Sequence, residues 1–188
     1  LTQNKINKND YILDIGGNDG TFLEFFKEKN VNVLNVDSGK AQSDLSNKNG
    51  IECINDFFNE QLSNKILSKK GKAKVIHGSG IFFHLEELKS VFRGVKNLLA
   101  QDGVLVAEFI YLPSMIKNLA FDQIYHEHLL YYSLSTFQYL LNEFDYFALY
   151  LVMYDRHKDE FNKNFKNSKY FTHSDILSSA ILNTYPCE

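Results

Sequence analysis

The sequence predicts an α/β fold, a mostly parallel sheet with helices on both faces. Two observations carry this reading. Short apolar, β-branched runs alternate with stretches of helical periodicity over most of the chain, the pattern of repeated strand–helix–strand units. In addition, a glycine turn, Asp37, Asp56, His84 and Glu108 each stand at or just after the end of such a run. Right-handed crossovers between parallel strands bring all those positions to one edge of the sheet, where ligands bind in open α/β folds.

Taken in order, residues 5–10 are a polar lead-in and Tyr11–Ile15 is a buried strand. Thr21-Phe-Leu-Glu24 has capping-box spacing, so a helix is expected from Thr21 with Phe22, Leu23, Phe25 and Phe26 on its apolar side. Val31–Val36 is a second strand closed by Asp37, Ala41–Asn49 a helix, and Ile51–Ile54 a short third strand followed by Asp56-Phe-Phe-Asn59. Ala73–His77 is the fourth strand, leading through Gly78-Ser79-Gly80 to Ile81-Phe82-Phe83-His84. Leu85, Leu88, Val91, Phe92, Val95 and Leu99 recur at helical spacing and predict a helix over Leu85–Ala100, ended by a turn at Gln101-Asp102-Gly103. Val104–Phe109 is the fifth strand, and Pro113–Leu119 a helix with proline in its first turn. Phe121-Asp-Gln-Ile-Tyr-His-Glu-His128 is the densest cluster of proton-handling side chains. Ser135-Thr-Phe-Gln138 has capping-box spacing for a helix carrying Leu134, Phe137, Leu141 and Phe144, and Phe147–Tyr154 reads as a sixth strand. One domain over residues 1–154 and a polar tail over 155–188, to which no role is assigned, are the expected organisation.

At 188 residues with a 44% hydrophobic share, the chain is long enough for one well-packed core. A net charge of −3 supplies no basic field for nucleic acid or an anionic membrane. No run approaches the ~20 apolar residues of a membrane span, and no signal-peptide pattern opens the chain, so a cytoplasmic location is expected. The two cysteines, Cys53 and Cys187, are isolated and suggest neither a disulfide framework nor a thiolate metal site. His126 and His128 flank Glu127, but the two-histidine helical spacing of a zinc site is absent, and no metal is expected.

The glycine turn, Asp14-Ile-Gly-Gly-Asn-Asp-Gly20, matches neither common nucleotide loop. Asn18 and Thr21 stand where G-x-G-x-x-G requires glycine, and no Gly-Lys-Ser/Thr follows for a P-loop. What remains is Asp-x-Gly-x-Asn-x-Gly, which resembles motif I of class I S-adenosylmethionine methyltransferases. A strand that stops at glycines and enters a helix offers backbone N–H groups at a positive helix end. Those groups, over Gly16, Gly17, Asn18 and Gly20, suit a carboxylate, while Asp14 suits an ammonium. Asp37 lies close to the ~20 residues beyond the loop at which an acid accepts hydrogen bonds from ribose hydroxyls. Asp56 can bond an adenine amine with Phe57 against the ring; a helix cap and a core phenylalanine remain the other reading of that pair. Gly78, after the fourth strand, completes the expected cofactor set.

With Leu13-Asp-Ile-Gly-Gly-Asn-Asp-Gly-Thr21, Glu108-Phe-Ile-Tyr-Leu112 and Phe121-Asp-Gln-Ile-Tyr-His-Glu-His128 together, residues 10–147 resemble the sugar-nucleotide C-methyltransferases. That group includes the C-3 methyltransferases of nucleotide-linked 4-keto deoxysugars. The resemblance implies a Rossmann-like class I fold, S-adenosylmethionine as donor, and a nucleotide-linked ketosugar as small-molecule acceptor. It implies His128 as the base that removes the proton next to the ketone, Tyr125 and Glu127 lining the sugar site, and His84 as the histidine after the fourth strand. Histidine titrates near pH ~6.5 and suits that proton transfer; Tyr125 or His84 can donate to the enolate oxygen, and Glu127 can orient the His128 ring. A hydrogen-bonded loop without chemistry is the alternative for the same cluster. Another small-molecule O- or N-methyltransferase, or a non-catalytic S-adenosylmethionine-binding module, are the alternative functions. The family's cysteine-rich zinc-binding start and its His-Gly-Gly continuation into a C-terminal domain are not found, so an incomplete chain is expected, with Phe82, Phe83, Tyr111 and Tyr125 exposed at an open edge.

Overall fold

The computed structural model describes residues 6–144 together with the backbone of 149–152 and 169–171. The described residues form β1 (Tyr11–Ile15), α1 (Thr21–Lys27), β2 (Asn32–Val36), α2 (Lys40–Lys48), β3 (Cys53–Ile54), α3 (Glu60–Lys70), β4 (Ala73–Ser79), α4 (Leu88–Leu98), β5 (Leu99–Glu108), α5 (Leu112–Lys117), α6 (Leu134–Asn142), β6 (Leu149–Val152) and β7 (Lys169–Phe171). The strands make one sheet in the order β3-β2-β1-β4-β5-β6-β7, and every neighbouring pair is parallel. The reversal of strand order between β1 and β4 opens a crevice at their C-terminal ends. Within residues 155–188, β7 adds to the sheet edge beside β6; the rest of that tail, and the ends of the sixth strand expected over Phe147–Tyr154, lie outside the described residues.

Side chains alternate across β1. Tyr11, Leu13 and Ile15 join the larger core with Ile76, Phe82, Phe92, Leu105 and Phe137. Ile12 packs on the other face with Leu23, Val31 and Ile51, beside Val33 and Val75. Above that smaller cluster, toward the loop edge, the next inward position on each strand is polar: Asp14, Asn35 and His77, all buried.

Several boundaries differ from expectation. The N-cap of α1 is Gly20, at φ 84°, not Thr21; the Thr21 N–H and hydroxyl instead donate to Asp19 Oδ1 at 3.1 and 2.8 Å. The capping box of α6 is Ser133 with Thr136, which takes priority over the Ser135 spacing because Leu134 must already face the core. Helix α4 starts at Leu88, three residues late, and ends at Leu98. Gln101-Asp102-Gly103 is not a terminating turn but a bulge within β5: Ala73 pairs with Leu99, yet Val75 pairs with Val104. The bulge carries Asp102 to the buried Lys74 ammonium, which holds the Asp102 carboxyl below the usual carboxylate range. Phe82 and Phe83 are buried, 0% and 6% exposed, because the chain after β4 folds back under the edge and packs Phe82 against Phe92 and Phe137. Tyr111 is half-buried and Tyr125 remains exposed.

Helix α3 was not legible, since Leu62, Ile66 and Leu67 are its only apolar residues. It is set by Asn59, whose Oδ1 accepts from the Leu62 N–H at 2.9 Å, and by close packing on α4, where a Cβ on Gly94 would stand 2.9 Å from the Asn59 carbonyl. Asn59→Ala should lower stability by about 1 kcal/mol in urea unfolding, through loss of that cap. An unchanged midpoint would show that α3 is held by its packing alone.

Candidate active site

The glycine loop joins β1 to α1 through three left-handed residues, Gly16 (φ 71°), Asn18 (φ 52°) and Gly20 (φ 84°). Gly16 donates its N–H to the Val36 carbonyl at 2.8 Å, and Gly20 to that of Gly17 at 3.0 Å. A Cβ on Gly16 would meet Ile81 at 3.1 Å; one on Gly17 would stand 2.4 Å from Asn35 Oδ1 and 2.7 Å from Asp14 Oδ2. The loop backbone therefore rests directly on its neighbours, an approach that only glycine permits. Asn18 is a residue type that tolerates the left-handed region, and it is clamped at both backbone groups. Its N–H donates to Asp37 Oδ2 and its carbonyl accepts from Asn35 Nδ2, each at 2.9 Å.

Asp14 and Gly20 serve the loop from within. Asp14 is 2% exposed and accepts from His77 Nδ1 at 2.8 Å, so it lies covered rather than offered to an ammonium. A Cβ on Gly20 would meet Ser46 Oγ of α2 at 2.8 Å. Asp37 stands at the C-terminal end of β2 with one carboxylate oxygen on the Asn18 N–H and the other on that of Gly39. A carboxylate has about four lone-pair sites, so both oxygens keep capacity for hydroxyl donors. Asn55 Nδ2 bonds the carbonyls of Asp37 and Ser38, which draws Asp56 and Phe57 to the same edge. Asp56 caps no helix; Asn59 does. Phe57 is 72% exposed, and it is Phe58 that fills the core. Gly78 is buried within β4, where a Cβ would meet the Phe82 ring at 2.9 Å, so its glycine is explained by packing.

The second half of the site lies beyond β4. His84 donates from Nδ1 to the Glu127 carbonyl at 2.7 Å, and His128 from Nδ1 to the Gln123 carbonyl at 2.8 Å. The two rings are 5.0 Å apart, with Tyr125 4.0 Å and Phe83 4.6 Å from the ring of His128. A carbonyl only accepts, so each Nδ1 carries a hydrogen, and in the neutral ring Nε2 is the nitrogen with the lone pair. The Gln123 carbonyl, not the Glu127 carboxylate, fixes the His128 ring; Glu127 contributes its backbone to His84 and leaves its side chain exposed. The segment is a turn, closed by the His128 N–H on the Tyr125 carbonyl, so His126 is exposed while His128 is 7% exposed. Leu129 N–H donates to the Phe83 carbonyl at 2.8 Å, tying the two histidine segments together. The Tyr132 hydroxyl bonds the Phe82 carbonyl at 2.9 Å, and burial raises its pKa, so it stays a donor. His77 and Asn35 are the residues that sequence reasoning missed; placing strand ends side by side is the signal that finds them.

No helix of the described residues is long and apolar enough to cross a membrane. A family profile described as a methyltransferase domain matches residues 2–150. The C-methyltransferase NovU of Streptomyces niveus is 34% identical over 127 residues, covering 68% of this chain and 30% of that protein. Among solved structures, a SAM-dependent methyltransferase from Archaeoglobus fulgidus superposes with a TM-score of 0.54 at 17% identity, over 72% of this chain and 60% of that one. The plantazolicin methyltransferase BpumL, in complex with a pentazolic desmethylPZN analogue and SAH, superposes with a TM-score of 0.55 at 18% identity, over 71% of this chain and 55% of that one. The chain thus spans 30% of the length of its curated relative, and the two structures share its Rossmann-like fold.

Proposed function

The chain belongs to the methyltransferase-domain family, and on that premise we propose that it performs S-adenosylmethionine-dependent C-methylation beside the ketone of a nucleotide-linked deoxysugar. The observation that carries the reading is the pair of histidines whose Nδ1 atoms are both held by carbonyls and whose rings lie 5.0 Å apart, which leaves Nε2 as the nitrogen of each ring available to a substrate. Transfer to oxygen or nitrogen starts from an atom with its own lone pair; transfer to carbon first requires a proton to leave. An aimed, buried imidazole is the group that such a step needs.

The residues present fit the cofactor. The loop places backbone N–H groups where no Cβ intervenes, Asp37 retains acceptor capacity, and Phe57, after β3, offers an exposed ring. When bound, S-adenosylmethionine supplies an electrophilic methyl group. His128 Nε2 takes the proton from the carbon next to the ketone, and the Tyr125 hydroxyl donates to the oxygen on which charge develops. His84, in the tautomer set by the Glu127 carbonyl, presents an acceptor and donates from Nε2 only once protonated. Glu127 stands beside the sugar as a hydroxyl acceptor.

Wild-type protein incubated with S-adenosylmethionine and a panel of nucleotide ketosugars tests this. The expected product keeps its methyl group through acid hydrolysis as a branched carbon. A methyl group found on oxygen or nitrogen would replace the assignment, and cofactor binding without transfer to any ketosugar would make the chain a binding module. Asp37→Ala is expected to weaken S-adenosylmethionine binding by about 1.5–3 kcal/mol, the range for hydrogen bonds to a charged group. Wild-type affinity in calorimetry would place the ribose elsewhere.

A further inference from the structure

Three adjacent strands contribute one buried polar residue each to a single row beneath the glycine loop. Asp14 of β1 is the registered partner of both Asn35 of β2 and His77 of β4, so the three side chains share a face. Their exposures are 2%, 0% and 8%. Burying three polar groups in a sheet that could hold aliphatic residues costs stability unless the groups are bonded. The row is bonded within itself, to the loop at Asn18 and to α2 at Ser46.

His77 donates from Nδ1 to Asp14 Oδ1 at 2.8 Å, and its ring stacks on Phe22 with centroids 4.0 Å apart. Asp14 precedes the loop and Phe22 is the second residue of the helix that follows it, so one imidazole grips both ends. Asn35 grips the middle, donating from Nδ2 to the Asn18 carbonyl at 2.9 Å and to Ser46 Oγ of α2 at 3.2 Å. Its Oδ1 is buried without a hydrogen-bond partner and, with Asp14 Oδ2, forms the floor on which Gly17 lies. A buried acceptor left unsatisfied is expensive. Its retention here fits a side chain selected for what its other end does.

We propose that His77 and Asn35 are positioning residues, which hold the glycine loop in the conformation that receives the amino-acid end of the cofactor. The inference rests on the cofactor site proposed above. Neither residue touches ligand. Both act through loop backbone, His77 by way of Asp14 and Phe22, Asn35 by way of Asn18. The adenosine end of the ligand falls to Asp37, Asp56 and Phe57, to which the row is linked by side-chain bonds only through Asn18, whose carbonyl accepts from Asn35 and whose N–H donates to Asp37.

That division supplies the test. Calorimetry of the full chain with S-adenosylhomocysteine and with 5′-methylthioadenosine, which lacks the amino-acid end, separates a loop effect from a general one. Asn35→Ala and His77→Leu are expected to weaken S-adenosylhomocysteine by about tenfold or more while changing 5′-methylthioadenosine by less than about threefold. His77→Gln, which retains an N–H donor for Asp14, should recover most of the loss. His77→Leu leaves a buried carboxylate without its donor; should it fail to fold, Asn35→Ala and His77→Gln carry the comparison, with thermal melting confirming the folded state. Equal losses for both ligands would reduce the row to scaffold and overturn the proposal, as would wild-type affinities for both. A wild-type protein that binds neither ligand would instead remove the cofactor site, and the inference with it.

Discussion

His128→Ala is expected to leave cofactor binding intact and to lower methyl transfer by ~10²–10⁴, the usual cost of removing a general base. The ring is 7% exposed, fixed through Nδ1 on the Gln123 carbonyl and packed by Tyr125 and Phe83, so it has one tautomer and one orientation to lose. None of these contacts involves the glycine loop, which is why affinity for S-adenosylmethionine should be preserved. The informative measurement is exchange of the sugar α-proton with solvent, since it isolates proton removal from the methyl transfer that follows. Exchange should vanish in His128→Ala and persist in His126→Ala, whose side chain is exposed. His84 is the serious rival, because its ring is 5.0 Å from that of His128 and its Nε2 is equally free. Wild-type exchange in His128→Ala with loss in His84→Ala would exchange their roles. The structure explains why sequence spacing could not choose between His126 and His128. An extended segment would put them on one face, but the turn closed by the His128 N–H on the Tyr125 carbonyl separates them.

The parallel sheet and the edge that gathers the candidate site were legible because burial on both faces of a parallel sheet leaves near-continuous apolar runs. Tyr11–Ile15 and the strand ending at Asp37 are such runs but for Asp14, Asn32 and Asn35, and Asp37, Asp56 and His84 follow from where the runs stop, whereas His128 rests on the resemblance of its own segment. Features set by partners distant in sequence were not legible. The bulge at Asp102 exists for Lys74, and α3, beyond the cap at Asn59, rests on its packing against α4; neither has an apolar periodicity of its own. His77 reads as a solitary histidine in an apolar strand until register places it beside Asp14. The aromatic run Phe82-Phe83 read as an open wall for the opposite reason, since apolarity alone does not say which way a chain folds back. The pair Asp56-Phe57 shows the converse. Both its readings were consistent with sequence, and only the cap at Asn59 and the burial of Phe58 take the structural duties away from it.

Gly16→Val should abolish measurable S-adenosylmethionine binding, a loss beyond about a hundredfold, or ~2.7 kcal/mol, in a domain that still folds. Two effects combine at this residue. Its φ of 71° lies in the left-handed region, which is disfavoured for any side chain by roughly 1–2 kcal/mol and more for a β-branched one. Its Cβ would also stand 3.1–3.3 Å from three carbons of Ile81, so the valine methyl groups must displace either that side chain or the loop. The Gly16 N–H is tied to the Val36 carbonyl, which leaves the backbone little room to turn away. A strain of that size is well below the ~5–15 kcal/mol stability of a typical domain, so the sheet should persist while the loop is re-shaped. Ile81 lies on the segment that leads to His84, and displacement there would reach the histidine pair as well. Calorimetry with S-adenosylmethionine, alongside circular dichroism and thermal melting, separates the outcomes. Unchanged affinity in a folded Gly16→Val protein would show that the ligand does not approach this loop, and the cofactor site would have to be sought elsewhere on the edge.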